Sequence, residues 1–119
     1  MNIEEFREYC LTKKHVTEEF PFDKTTLVFK VLGKMFALSG LEHQPPTVNL
    51  KCDPERAIEL REEYDGKVIS GFHMNKKHWN TIEILSLPPE LLKELIDHSY
   101  DLVVAGIPKK LRDKLINKF

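Results

Sequence analysis

Two short apolar segments meet across a glycine turn in this chain, and that feature limits the possible folds most. Residues 26–32 (TLVFKVL) and 35–39 (MFALS) flank Gly33-Lys34. Such a spacing predicts a β-hairpin, because glycine adopts the positive φ that a tight turn needs. A third strand is predicted at 47–52 (TVNLKC), after Pro45 and Pro46. Val48, Leu50 and Cys52 face one way, and Asn49 and Lys51 the other. Hairpin-joined strands of this kind build an antiparallel sheet with one face to cover.

Helical segments supply the cover. Residues 2–14 read as a helix, with Asn2 as cap, Glu5 completing a capping box, and Ile3, Phe6, Tyr9 and Cys10 on one face. A loop follows, holding Glu18, Glu19, Phe20, Pro21 and Phe22. Asp53-Pro54 starts a second helix that runs to about Tyr64 and buries Ala57, Ile58, Leu60 and Tyr64. Asp65-Gly66 stops it. Residues 67–71 read as a fourth strand, 72–79 (FHMNKKHW) as a loop, and 80–85 as a fifth strand with Ile82 and Ile84 inward. A helix follows from Pro88-Pro89 to Gly106, and a basic amphipathic one from Pro108 to about Lys118. The order is helix, three strands, helix, two strands, two helices. The expected fold class is α+β: a two-layer sandwich, with a mostly antiparallel sheet and helices packed on one face. A single domain over 1–119 is expected, given 119 residues with 41% apolar and 31% charged.

Several function classes fall away. No apolar run approaches the ~18 residues of a membrane span. The acidic, amphipathic N-terminus does not read as a secretory leader, and Cys10 and Cys52 make no disulfide framework. The expected location is a reducing cytoplasm, bacterial in style, and a monomer is expected ahead of an oligomer. There is no nucleophile elbow, phosphate-cradling glycine loop or metal-binding Cys/His spacing, so neither catalysis nor a cofactor or metal is expected.

The net charge is only −1, but it is segregated. The three acidic segments are 1–23, 53–66 and 81–105, at −3, −4 and −4; all are largely helical. Residues 24–52, 67–80 and 106–119 carry +3, +3 and +4. With the helices on one face, the positive charge is expected on the other. Lys30 and Lys51 alternate away from the apolar side, Lys34 sits at the hairpin tip, and Lys76, Lys77, His78 and Trp79 follow in the central loop. Such a surface can track phosphates and stack on a base. The same lysines can equally keep a bare sheet face soluble and unpaired.

The chain resembles the MmcQ/YjbR-like family. The residues that carry the likeness are Phe20-Pro21-Phe22, Val28-Phe29-Lys30-Val31, Gly33 to Leu38, Leu50 to Pro54, Ala57 with Leu60-Arg61, Gly71 to Thr81, and Ser99 to Val103. Asp23 and Ser70 stand where that family often has glycine and proline. The resemblance implies a fold like that of CyaY/frataxin. Members are described as DNA-binding proteins with a double-wing arrangement, which makes DNA the expected partner, ahead of RNA, and membrane no partner.

The expected contact set is Lys30, Lys34, Lys51, His73, Asn75, Lys76, Lys77, His78 and Trp79. Lysines would pair with phosphates, Trp79 would stack, and the His and Asn side chains would hydrogen-bond. Trp79 equally suits the edge of a core. The alternative function is a protein-interaction or small-ligand module. Iron held by Glu4, Glu5 and Glu8, as the frataxin-like fold would prompt, is weighed against a plain solvated helix face.

Overall fold

The computed structural model describes residues 1–71 and 74–117, with side chains described through residue 113. Helix α1 spans Ile3–Leu11. Asn2 accepts the Glu5 N–H and the Glu5 carboxylate accepts the Asn2 N–H, so the expected capping box is present. Strands β1 (Val16–Glu19), β2 (Thr26–Val31), β3 (Lys34–Gly40) and β4 (Thr47–Lys51) come next, then α2 (Pro54–Glu63). After these come β5 (Val68–Ser70), β6 (Trp79–Glu83), a 3-10 turn at Ile84–Ser86, α3 (Pro89–Ala105) and α4 (Lys109–Asn117). The six strands form one sheet in the order β1-β2-β3-β4-β6-β5, every neighbouring pair antiparallel. The fold is α+β, with the helices packed on one face of this sheet.

Five local expectations are corrected. Residues 16–19 form a strand rather than a loop, pairing Val16 with Val31 and Glu19 with Val28. Only one apolar residue marks that strand, so its alternation is invisible in sequence. The hairpin turn is Leu32-Gly33, with φ of 48° and 79°, and Lys34 already belongs to β3. Trp79 opens β6 rather than ending a loop, and residues 84–86 coil into the 3-10 turn. Ile58 is 52% exposed, because α2 buries only the Ala57–Leu60 side.

The main core lies between sheet and helices. Leu27, Phe29, Val31, Val48, Leu50, Ile82 and Ile84 come from the strands, while Phe6, Cys10, Leu92, Leu95, Ile96 and Val103 come from α1 and α3. Phe6 meets Phe29 edge-to-face with ring centres 5.9 Å apart. A second, smaller cluster sits on the opposite, open face. Val28, Leu38 and Trp79 are buried there, with Met35 and Met74 packed against them.

One irregularity ties the layers together. The β2–β3 register shifts between Phe29 and Lys30, so Phe36 is an extra residue in β3. On the β4 side, Ser99 of α3 stands between the strands: its hydroxyl donates to the Phe36 carbonyl (2.5 Å) and accepts the Lys51 N–H (2.9 Å). A helix side chain thus completes the ladder that would otherwise continue past the Ala37–Leu50 pair.

Candidate nucleic-acid interface

Antiparallel connectivity decides which charges gather. The β2–β3 turn, the C-terminal end of β4 and the start of β6 all lie at one end of the sheet, here the turn end. Lys34 stands at that turn, Lys51 ends β4, and Asn75 to His78 form the tight connection into β6. Lys51 pairs with Trp79 across the β4–β6 ladder, and the Cys52 N–H donates to the His78 carbonyl (2.7 Å). The α1–β1 connection brings Lys14 to the same end, since Val16 pairs with Val31. Lys14 is outside the expected contact set, because only the pairing of β1 places it there. Among the described residues, no acid lies within ion-pair distance of Lys34, Lys51, Lys76 or Lys77. Lys34, Lys76 and Lys77 are exposed, and Lys51 is half-buried. Asp53 shares this end, where its carboxylate caps α2 by accepting the Arg56 N–H.

The expected basic face is therefore a basic end. Across the open face the charges are compensated: Lys30 pairs with Glu19 of β1 (2.5 Å), and Lys67 with Glu83 of β6 (3.5 Å). The centre of that face is the Val28–Leu38–Trp79 cluster and the Asn49–Thr81 pair, which carry no charge. The pairing of Lys30 is not legible in sequence, because its partner lies on β1, a strand without an alternation of its own.

Trp79 is only 8% exposed and packs on Val28 and Leu38. Its indole is a core element here, not an open stacking surface. Asn75 organises its own turn: its side-chain oxygen accepts the Lys77 N–H (3.0 Å), and its carbonyl accepts the N–H of His78 (3.2 Å) and of Trp79 (3.0 Å). His78 is half-buried. His73 lies outside the described residues.

Arg61 holds the turn from behind. Its guanidinium donates to Asn80 Oδ1 (2.9 Å) and to the Lys76 carbonyl (3.1 Å), while buried Asn80 donates from its amide to the Ala57 carbonyl (3.3 Å). An arginine among acids on α2 gave no such sign in sequence, because its partners are 15 and 19 residues away. Arg61→Ala is expected to lower stability by about 1–2 kcal/mol through the loss of charge-assisted bonds. Amide exchange at Lys77, His78 and Trp79 should speed up about tenfold while that at Val28 and Leu38 changes little. Unchanged exchange in the turn would show that Arg61 does not hold it.

Burial pushes the Cys10 thiol far up and raises Cys52 to about 11, so both stay protonated at neutral pH. Among the described residues no group of three His, Cys, Asp or Glu side chains is placed to hold a metal ion. Glu4, Glu5 and Glu8 are exposed on α1, with Glu5 engaged in the capping box. No helix among the described residues is long and apolar enough to cross a membrane.

This architecture and sequence recur in known proteins. The chain is 32% identical over 117 residues to the uncharacterized protein YjbR of Escherichia coli K12, covering 98% of both chains. It is 39% identical over 94 residues to YbdF of Escherichia coli O157:H7, covering 76% of this chain and 75% of that one. The crystal structure of Deinococcus radiodurans DR2400 superposes with a TM-score of 0.89 at 42% identity, over 96% of this chain and 87% of the other. Residues 11–102 match the YjbR family model, and the chain belongs to the YjbR family.

Proposed function

We propose that this protein binds nucleic acid, DNA first, by seating phosphates on the turn end of the sheet, and that it performs no catalysis. The observation that carries this reading is the convergence of Lys34, Lys51, Lys76 and Lys77 at one end, with no carboxylate of the described residues within ion-pair distance of them. The β2–β3 turn and the 75–78 turn project there as two short arms, which suits a double-wing arrangement. Lysines in such positions act as point charges on phosphates, so affinity would come with little sequence preference. Trp79 contributes by supporting the 75–78 turn from beneath rather than by stacking.

The test is fluorescence anisotropy of labelled single- and double-stranded DNA at low and near-physiological salt. Binding is expected to weaken steeply as salt rises, through counterion release. Lys76→Ala and Lys77→Ala should each reduce the salt slope by about 1. Lys30→Ala should change it far less, since Glu19 already neutralises that ammonium. Absence of binding at low salt would overturn the reading.

A further inference from the structure

At the far end of the open face, away from the lysines of the turn end, the sheet surface is hollowed into an open cleft of about 600 Å³. Its shape follows from side-chain size. Short residues on three adjacent strands make the floor: Gly40 on β3, Thr47 and Asn49 on β4, and Thr81 on β6. Larger ones make the walls: Phe22 from the β1–β2 connection, Leu38, and Ile69 on β5. Phe22 and Ile69 are 68% and 46% exposed, which is a great deal of apolar surface for side chains beside a concavity.

We propose that this cleft is a binding site for a small planar heterocycle, neutral or cationic, that lies on the Thr47–Asn49–Thr81 floor against Phe22 and Ile69. The volume is that of a small-molecule site. A saturated acyl chain would leave the Thr47 hydroxyl and the Asn49 amide of the floor unmet. A phosphate or carboxylate ligand would need a cation, and no lysine or arginine is among the described lining residues. Among the described lining residues the one carboxylate is that of Asp23, and His43 adds an imidazole whose Nδ1 lies 2.8 Å from the Pro45 carbonyl oxygen. Asp23 accepts the N–H groups of Thr25 (2.9 Å) and Thr26 (2.7 Å), and the Thr26 hydroxyl bonds its second oxygen (3.1 Å). Those bonds hold its carboxyl below the usual range and so keep it ionised.

The polar groups also define what the ring must offer. Thr81 donates its hydroxyl to Asn49 Oδ1 (2.5 Å), which fixes the amide and leaves its NH₂ without an acceptor among the described residues. A ring acceptor can take that donor. A ring N–H or exocyclic amine can meet Asp23, and the exposed Phe22 ring can stack on a flat partner or attract a cation. The site is separate from the lysines of the turn end and does not depend on the nucleic-acid reading.

The test is amide NMR of the isotopically labelled full chain, titrated with adenine as neutral probe, 1-methylnicotinamide as cationic probe and inorganic phosphate as anionic control. Gly40→Phe serves as a block: a side chain there meets nothing within 4 Å at its first carbon, so it can enter the cleft without displacing the backbone. Asn49→Ala removes the floor donor. The expected result is saturable shifts at the Asn49 side-chain amide, Ile69 and Thr81 with adenine or 1-methylnicotinamide, and none there with phosphate. Asn49→Ala should weaken the affinity about tenfold. Gly40→Phe should abolish the shifts, and a Lys76→Ala, Lys77→Ala variant should keep them. Shifts that fail to saturate, scatter over the surface, appear equally with phosphate, or persist in a folded Gly40→Phe protein would overturn the proposal.

Discussion

Trp79→Ala is expected to lower the stability of the chain by about 3 kcal/mol or more, the range of large-to-alanine changes at buried aromatic positions. The indole is the largest member of the open-face cluster. Val28 and Leu38 flank it, and Met35 and Met74 cover it. Its backbone is equally engaged: the Trp79 carbonyl accepts the Gly71 N–H (2.7 Å). A Cβ at Gly71 would stand 2.8 Å from the Trp79 Cβ and 3.0 Å from the Trp79 carbonyl oxygen, so no larger residue fits without moving β6. Urea unfolding checks the energy. Quenching checks the exposure: fluorescence from the sole tryptophan should resist iodide in the native protein. A stability loss below about 1 kcal/mol, together with ready quenching, would restore Trp79 as an open stacking surface.

Ser99→Ala is expected to lower stability by about 2–4 kcal/mol, much more than deletion of one hydroxyl on a solvated helix. The difference lies in what is left behind. Ser99 is fully buried, and its hydroxyl serves both the Phe36 carbonyl and the Lys51 N–H. Truncation leaves a buried acceptor and a buried donor, each costing about 1–3 kcal/mol if unpaired. Strand closure that lets Phe36 and Lys51 bond directly would recover part of this. Ser99→Thr keeps the hydroxyl and should recover part of the loss as well, to the extent that its methyl fits. Equal unfolding midpoints for the wild-type and alanine proteins would show that the strands bond without the serine. Because Lys51 follows the same backbone, a shifted β4 terminus should also weaken the proposed salt-sensitive DNA binding in the alanine variant.

Sequence made the strands legible wherever alternation was strong. Val48, Leu50 and Cys52 face the main core as their spacing requires, and Leu27, Phe29 and Val31 do likewise. Helix starts at Asn2 and Asp53 were legible because a cap is a local event within three residues. Strand β1 was not, since a short polar edge strand is specified by its partner rather than by its own pattern. The same limit governs the site. That Lys76 and Lys77 share a turn is local, but their company with Lys34 and Lys51 is topological. The Lys30–Glu19 pair follows from a register that the sequence does not print. Arg61 and Ser99 act across the fold, on atoms 15 to 63 residues away, and no window of sequence contains both partners. The cleft depends on short side chains from three strands and walls from two more segments, an arrangement that no single strand encodes.

The separation of the basic end from the rest bears on how a polyanion would perceive this molecule. Strand β4 runs five residues from Thr47 to Lys51, a rise of roughly 15 Å. The screening length in physiological salt is only ~8 Å. Asp23, Glu42 and Glu4 lie toward the far end while Asp53 caps α2 at the basic end, so mobile ions would shield a phosphate seated beside Lys51 from the distant three but not from Asp53. In dilute salt that shielding fades and those carboxylates are felt again, opposing part of the attraction. The whole-chain charge of −1 thus averages over regions that a bound phosphate would not sense together.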